Sequence, residues 1–406
     1  MPDYDFWVGL DWGAAHHHMC VVDPAGRVRV ERAVAHSGAG LTALVAELAQ
    51  LAPDPARLAV ALELPRGPVV DALLAQGFHV FAVNPKQLDR FRDRYSVAGA
   101  KDDRRDAFVL ADAQRTDPRA FRRLQPEEPR VTLLRELSRL HAELAEEHGR
   151  LANRLREQLQ RFFPSPLALC PAADEPWLWA LLDRARTPAE ARRLRPNTLR
   201  ALLAEHRIRR VSGDQLHAAL QAPPLPVAAG TALAAADHVA MLLPRLRMAH
   251  EQRAECERRL ERLLRDLAEG DQPEHRDVTI IRSVAGVGTI VAATMLAEAA
   301  LPLAQRDYQI LRAQSGVAPV TRQSGKTRLV LMRRSCNARL RSAVFNWARN
   351  SIRLEPRARA LYDRLRQRHG HARALRGVAD RLLAMLITLL STGTLYDPLR
   401  RQVSAA

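Results

Sequence analysis

The chain has 406 residues, with 62 Lys or Arg against 45 Asp or Glu and a formal net charge of +17. Apart from Lys86, Lys101 and Lys326 the basic residues are all arginine, whose planar fork grips phosphate bidentately. A length of roughly two to three domains and this charge exclude a small peptide-binding module, argue against an ordinary metabolic enzyme, and make nucleic acid the expected partner.

The first 125 residues open with three β-prone runs, Phe6 to Asp11, His17 to Asp23 and Arg27 to Ala33, the last two separated by the turn signal Asp23-Pro24-Ala25-Gly26. Leu41, Leu44, Val45, Leu48 and Leu51 then recur at helical spacing. A short apolar strand from Leu58 to Leu62 ends at Glu63, and a helix from about Pro68 to Gln76 and a strand from Phe78 to Val83 follow. Asn84-Pro85 breaks the chain, a helix covers 86 to 93, a loop passes 96 to 100, and a helix starts near Asp102. The order is βββ-α-β-α-β-α.

From 129 to 163 leucines recur at heptad-like positions, and a second such stretch spans 231 to 268. The two can pair within one chain or between chains. The segment from Pro164 to Pro226 is punctuated by proline and reads as short helices and loops, and 278 to 395 as a mainly helical domain with an apolar helix from Val378 to Leu390. Val284 to Ala304 has Glu298 as its only charge but is Ala-rich and opens with Gly286 and Gly288. It reads as a tightly packed helix rather than a membrane span. The expected domains are 1–125, 126–270 and 271–406.

Cys20, Cys170, Cys256 and Cys336 form no C-x-x-C pair, and the start lacks the pattern of a signal peptide. A reducing cytoplasm is the expected location. His16-His17-His18 would alternate faces on a strand, and with no separated metal-ligand pattern beside them they read as packing, hydrogen-bonding or nucleic-acid-facing groups.

The element order would gather acids at one place. Asp11 lies on the first strand, Glu63 ends the fourth, and Asp103 and Asp106, three apart, share a face at the start of a helix. Four carboxylates so placed can hold two Mg²⁺ ions about 4 Å apart, the arrangement that stabilises attacking and leaving oxygens in phosphoryl transfer. Asp102 is the rival for Asp103, or else the helix cap. This arrangement looks like a ribonuclease H or RuvC-like nuclease fold.

In the C-terminal part, Val284 to Gly288 precedes an Ala-rich helix, and Gly286 and Gly288 would let backbone N–H groups approach a phosphate in a helix-hairpin-helix-like segment. Ser324-Gly325 follows Arg322 and precedes Lys326 and Arg328 in what reads as a flexible loop. There Ser324 is either a turn residue or a nucleophile aided by those cations.

These motifs resemble the DEDD-type insertion-sequence transposases of the "one-ten" group, described as bridge-RNA-guided recombinases. The likeness rests on Gly9-Leu10-Asp11, Leu62-Glu63, Val83-Asn84-Pro85 and Lys101-Asp102-Asp103-Arg104-Arg105-Asp106-Ala107. It continues in Val284-Ala285-Gly286-Val287-Gly288, Gly316-Val317-Ala318-Pro319 and Gln323-Ser324-Gly325. The resemblance selects Asp103 over Asp102 and implies a RuvC-like N-terminal domain, long coiled-coil helices and a C-terminal transposase domain bearing a serine loop. It further implies Mg²⁺ on Asp11, Glu63, Asp103 and Asp106, and a covalent phosphoserine at Ser324. Implied partners are donor and target DNA, a structured noncoding guide RNA and further copies of the chain in a dimer or tetramer, on the bacterial nucleoid and not at a membrane. Lys101, Arg104, Gly286, Gly288, Arg322, Lys326 and Arg328 are the expected nucleic-acid contacts. The chain departs from the family's pattern at Asp102, Arg105 and Trp12-Gly13-Ala14. Two other readings compete: a RuvC-like structure-specific endonuclease that does not use serine, and a non-enzymatic nucleic-acid scaffold. The scaffold gains nothing from four gathered carboxylates, which would repel its ligand.

Overall fold

The computed structural model describes residues 3–95, 102–126, 128–269, 273–325 and 327–398, which fall into two compact units, 1–128 and 129–406. In the first unit β1 (Phe6–Asp11), β2 (His16–Val22) and β3 (Val28–Ala35) form an antiparallel meander. Asp23 makes its second turn: the carbonyl accepts the Gly26 N–H at 2.8 Å and the carboxylate accepts the Arg27 N–H at 2.9 Å. Helix α1 (Gly38–Leu51) is capped by Ser37 and turns Leu44 and Leu48 into the core.

The buried strand β4 (Leu58–Leu62) lies parallel to β1, with Leu10 opposite Leu62. After α2 (Pro68–Ala75), strand β5 (His79–Ala82) adds parallel to β4. Helix α3 (Pro85–Asp93) follows, with Asn84 as its cap and Pro85 at its first position, and then α4 (Asp103–Thr116). The expected order of strands and helices is therefore present. One strand escaped the sequence: β6 (Arg122–Arg123) pairs antiparallel with β5 at the sheet edge, and two exposed arginines carry no strand signal. The six-stranded sheet runs β3-β2-β1-β4-β5-β6. One core, around Leu44, Leu48, Val60 and Leu73, covers one face, and Val109, Leu110 and Ala113 of α4 join Ala59 and Ala61 on the other.

The second unit is built on two long helices, α5 (Pro129–Phe162) and, later in the chain, α10 (Ala229–Ala268). They pair antiparallel within the chain: Cys256 Sγ donates to the Leu137 carbonyl at 3.3 Å, while the rings of His148 and His250 are 5.6 Å apart. Between them lie α6 (Pro176–Arg184), α7 (Pro188–Ala191), α8 (Pro196–Glu205) and α9 (Gly213–Gln221). Three of these four start on proline, whose missing N–H costs nothing at a first helical position. Trp177, Trp179 and Phe162 centre their core with one end of the long pair.

The other end of the pair packs with α11 (Pro273–Ser283), α12 (Thr289–Glu298), α13 (Ala300–Ala304) and α14 (Tyr308–Gln314). A two-stranded hairpin, β7 (Val320–Ser324) and β8 (Thr327–Leu331), precedes α15 (Ala338–Leu354), α16 (Pro356–Arg366) and α17 (His371–Thr392). The apolar stretch from 284 to 304 is two helices meeting at Ala299 rather than one. Among the described residues no helix is long and apolar enough to cross a membrane.

Candidate active site

Two acids reach one end of the sheet by register alone. Because Leu10 of β1 stands opposite Leu62 of β4 in a parallel pair, the next residues, Asp11 and Glu63, leave neighbouring strands at the same level, about 5 Å apart in backbone. Both are partly buried.

The other two acids arrive on α4, and a glycine lets them. A Cβ on Gly9 would lie 1.9 Å from the Ala107 carbonyl oxygen and 2.7 Å from the Ala111 nitrogen. The helix backbone thus rests directly on β1, two residues before Asp11. Asp102 is the cap of α4, its carboxylate accepting the Arg104 N–H at 3.3 Å, so the helix proper begins with Asp103. Asp103 and Asp106 occupy the first turn, where the helix dipole favours negative charge. Asp103 is exposed and Asp106 is 0% exposed.

A buried carboxylate needs a cation, and Arg92 in the last turn of α3 supplies it. Its Nε and Nη2 donate to the two Asp106 oxygens at 2.5 and 2.7 Å. The same guanidinium pairs with Asp89 and comes to 4.0 Å from Glu63. Burial works against the Arg92 charge, but Asp106, Asp89 and Glu63 outweigh it and hold its pKa above the usual arginine value. Sequence reasoning missed this residue, for no local pattern links Arg92 to an acid fourteen positions on.

The four acids share one end of the unit without closing on a common point. Among the described residues the one group of three acid, His or Cys side chains with mutually close ligand atoms is Cys170, Asp174 and Glu175, and there Glu175 is already paired with Arg210. Arg104 pairs with Glu31, which His18 approaches at 3.5 Å, while Lys101 lies outside the described residues. His17 is buried, with its Nε2 2.9 Å from His36 Nδ1, so the histidine run packs and hydrogen-bonds.

In the second unit Ser324 is the last residue of β7 rather than part of an irregular loop, and it stands exposed opposite Thr327. The two strands join through residues 325 and 326, with Gly325 at φ +54°; Lys326 lies outside the described residues. Residues opposite one another or two apart share a face. Ser324 therefore shares its face with Thr327, Arg322 and Leu329, whereas Gln323 and Arg328 point to the other. Arg322 and Arg328 do not flank the serine together.

The root of the hairpin is pinned. Arg333 Nε donates to the Ala318 carbonyl at 3.3 Å, and Arg341 Nη2 to the Arg333 and Arg334 carbonyls at 3.1 Å. Asn337 caps α15 and donates to Glu298, which also accepts from Arg139 of α5 at 3.0 Å. Burial pushes the Glu298 carboxyl up, but these two donors outweigh it and hold it below the usual range.

Gly286, at φ +85°, uses its freedom for packing: a Cβ there would come within 2.8 Å of the Ser351 nitrogen and Oγ on α15. The neighbouring Ala285 carbonyl accepts from Trp347 Nε1 at 3.1 Å and Ser351 Oγ at 2.9 Å. Gly288 caps α12 with open space around it.

Comparison with known proteins bears on both units. Residues 8–164 match a family model described as transposase, and residues 278–363 one described as the transposase IS116/IS110/IS902 family. The mini-circle putative transposase for IS117 of Streptomyces coelicolor is 31% identical over 97% of this chain and 95% of its own length. The putative transposase y4uE of Sinorhizobium fredii is 48% identical over 206 residues, half of this chain and 57% of that protein. An uncharacterized 43.6 kDa protein of insertion element IS110, also from Streptomyces coelicolor, is 28% identical over 97% of this chain and 96% of its own length.

Proposed function

This chain belongs to the IS116/IS110/IS902 family of insertion-sequence transposases, and from that premise we propose that it cuts and exchanges DNA strands with the acidic cluster and Ser324. The observation that carries the reading is the seating of α4 on Gly9, which brings Asp103 and Asp106 to the end of the sheet where Asp11 and Glu63 emerge. With the β3-β2-β1-β4-β5 order, that placement supports reading the first unit as a RuvC-like, ribonuclease H-type domain.

The residues fit a hard divalent cation. Every donor is a carboxylate oxygen; Arg92 holds both Asp106 oxygens, so Asp106 would serve an ion only once the guanidinium turns aside. Asp11, Glu63, Asp103 and Asp106 would hold Mg²⁺, whose chemistry when bound is to stabilise charge on the attacking and leaving oxygens. The protein's own part is positioning: the parallel strands fix two carboxylates at one level, and α4 presents two more from its first turn.

Ser324, at the tip of a hairpin with a pinned root, is the nucleophile. A bond forms between its Oγ and phosphorus, the bond from phosphorus to a deoxyribose oxygen breaks, and the serine proton leaves with the departing hydroxyl group. Rejoining reverses these steps, so the phosphodiester energy stays in the phosphoserine and ATP is not required. Arg322, on the serine's face, is placed to offset phosphate charge. A structured RNA pairs with donor and target DNA, and the chain acts as a dimer or tetramer; the resemblance and the arginine-rich charge support this part.

The test is cleavage of labelled donor and target DNA by the full chain with RNA transcribed from the flanks of its gene and Mg²⁺. Asp11→Asn and Glu63→Gln should each abolish cutting while leaving the circular dichroism spectrum unchanged. Undiminished cutting by both variants would overturn the reading.

A further inference from the structure

Asp11 ends β1, and the residue after it, Trp12, is 42% exposed. The remaining indoles are covered: Trp177, Trp179 and Trp347 are at most 1% exposed, and Trp7 is partly buried against Tyr4. A tryptophan this open is an unusual use of the largest apolar side chain.

It is also held in place. His17, 1% exposed on β2, accepts the Gly13 N–H on Nδ1 at 3.4 Å. Its Nε2 therefore carries the proton and donates to His36 Nδ1 at 2.9 Å. Both imidazole centroids lie 5.9 Å from that of Trp12, at interplanar angles of 44° and 68°. Neither stacks parallel on the indole, so two hydrogen-bonded rings brace it while much of its surface stays open.

We propose that Trp12 is a stacking platform for an unpaired nucleobase beside the acidic end of the first unit. Three observations select that occupant. The platform stands at the same end of the sheet as Asp11 but on the opposite face, with His17 rather than His18, so a base on it belongs to a nucleotide that passes round the sheet end from the phosphate at the carboxylates. The chain carries a net charge of +17, which draws nucleic acid rather than basic proteins. An aromatic plane takes any base by its π-face, without demanding sequence. The bracing removes rotamer freedom that binding would otherwise have to freeze. The inference rests on the proposed function only in taking the acidic end as the place where nucleic acid lies.

The experiment uses the full chain, with Ca²⁺ in place of Mg²⁺, and three probes: a single-stranded DNA 20-mer, the RNA of the same sequence and the fully paired DNA duplex. Because Trp12 is the most exposed indole, acrylamide quenching of intrinsic fluorescence reports mainly on it. Single strands should shield it from acrylamide, and the duplex should shield it less. Trp12→Ala should weaken single-strand binding about 5- to 150-fold, the equivalent of 1–3 kcal/mol of stacking. Trp12→Phe should recover most of that, and duplex affinity should change less than twofold. The better-shielding strand of the DNA and RNA pair identifies the source of the base. Wild-type affinity in Trp12→Ala, or acrylamide access to Trp12 unchanged by saturating single strands, would overturn the proposal. Trp12-dependent binding in Ca²⁺, with no cutting by the same chain when Mg²⁺ and the flanking RNA are supplied, would keep the platform and remove the catalytic reading instead.

Discussion

Gly9→Ala puts one methyl group where α4 rests on β1. The new Cβ would stand 1.9 Å from the Ala107 oxygen and 2.7 Å from the Ala111 nitrogen. Backbone atoms cannot rotate aside as side chains do, so α4 has to retreat by about 1.5 Å to restore ordinary van der Waals separation. That retreat loosens Val109, Leu110 and Ala113 from Ala59 and Ala61. Overpacking of this kind costs about 1–3 kcal/mol, a fall in melting temperature of roughly 3–15 °C for a unit of this size. The catalytic penalty should be larger than the loss of stability suggests, because the helix that moves carries Asp103 and Asp106, and a misplacement of about 1 Å costs on the order of 10²-fold in rate. Thermal denaturation and DNA cleavage, measured below the variant's transition, separate the two effects. A Gly9→Ala protein that melts and cuts like wild type would refute the seating of α4 described above.

Arg92→Ala strips both partners from the buried Asp106 carboxylate and should cost about 3–5 kcal/mol in urea denaturation; Arg92→Lys should fall between it and wild type, since a lysine keeps the charge but not the fork. Asp102→Ala removes a cap and should cost about 1 kcal/mol of stability with cutting preserved, whereas Asp103→Asn should preserve stability and abolish cutting. Hydrogen bonding from the Arg27 backbone, aided by the Arg27 and Arg29 side chains, holds Asp23 down to about 2 from an ordinary 3.8. A depressed carboxyl contributes stability in full above its unfolded value and loses it as pH falls through the folded one. Urea midpoints should therefore drop between about pH 4 and pH 2, less so in Asp23→Asn.

The first unit was legible because its signals are local. Short apolar runs, the Asp-Pro-Ala-Gly turn and Asn84-Pro85 mark strands, turn and helix start within a few residues, and the parallel register of β1 and β4 follows once those elements exist. The carboxylates could be gathered from element order, but their charge balance could not. Arg92 meets Asp106 only through the packing of α3 beside α4. The hairpin escaped because both of its strands are almost wholly exposed, so no alternation of apolar and polar residues betrays it, and Ser324 read as part of a loop. Whether α5 pairs with the 231–268 stretch of its own chain or of another copy was equally hidden, since a heptad pattern names a face and not the chain that covers it. Trp12 showed only as a departure from the family's residues; its bracing by His17 and His36 needed the fold.

Whether Ser324 and the acidic cluster serve one reaction, as proposed, is read directly by mass spectrometry of the chain after incubation with donor DNA, target DNA, RNA and Mg²⁺. A tryptic peptide bearing a nucleotide on Ser324 is expected in wild type and should be absent from both Ser324→Ala and Asp11→Asn. Full DNA cutting by Ser324→Ala, with no nucleotide-bearing peptide in wild type, would contradict the proposal.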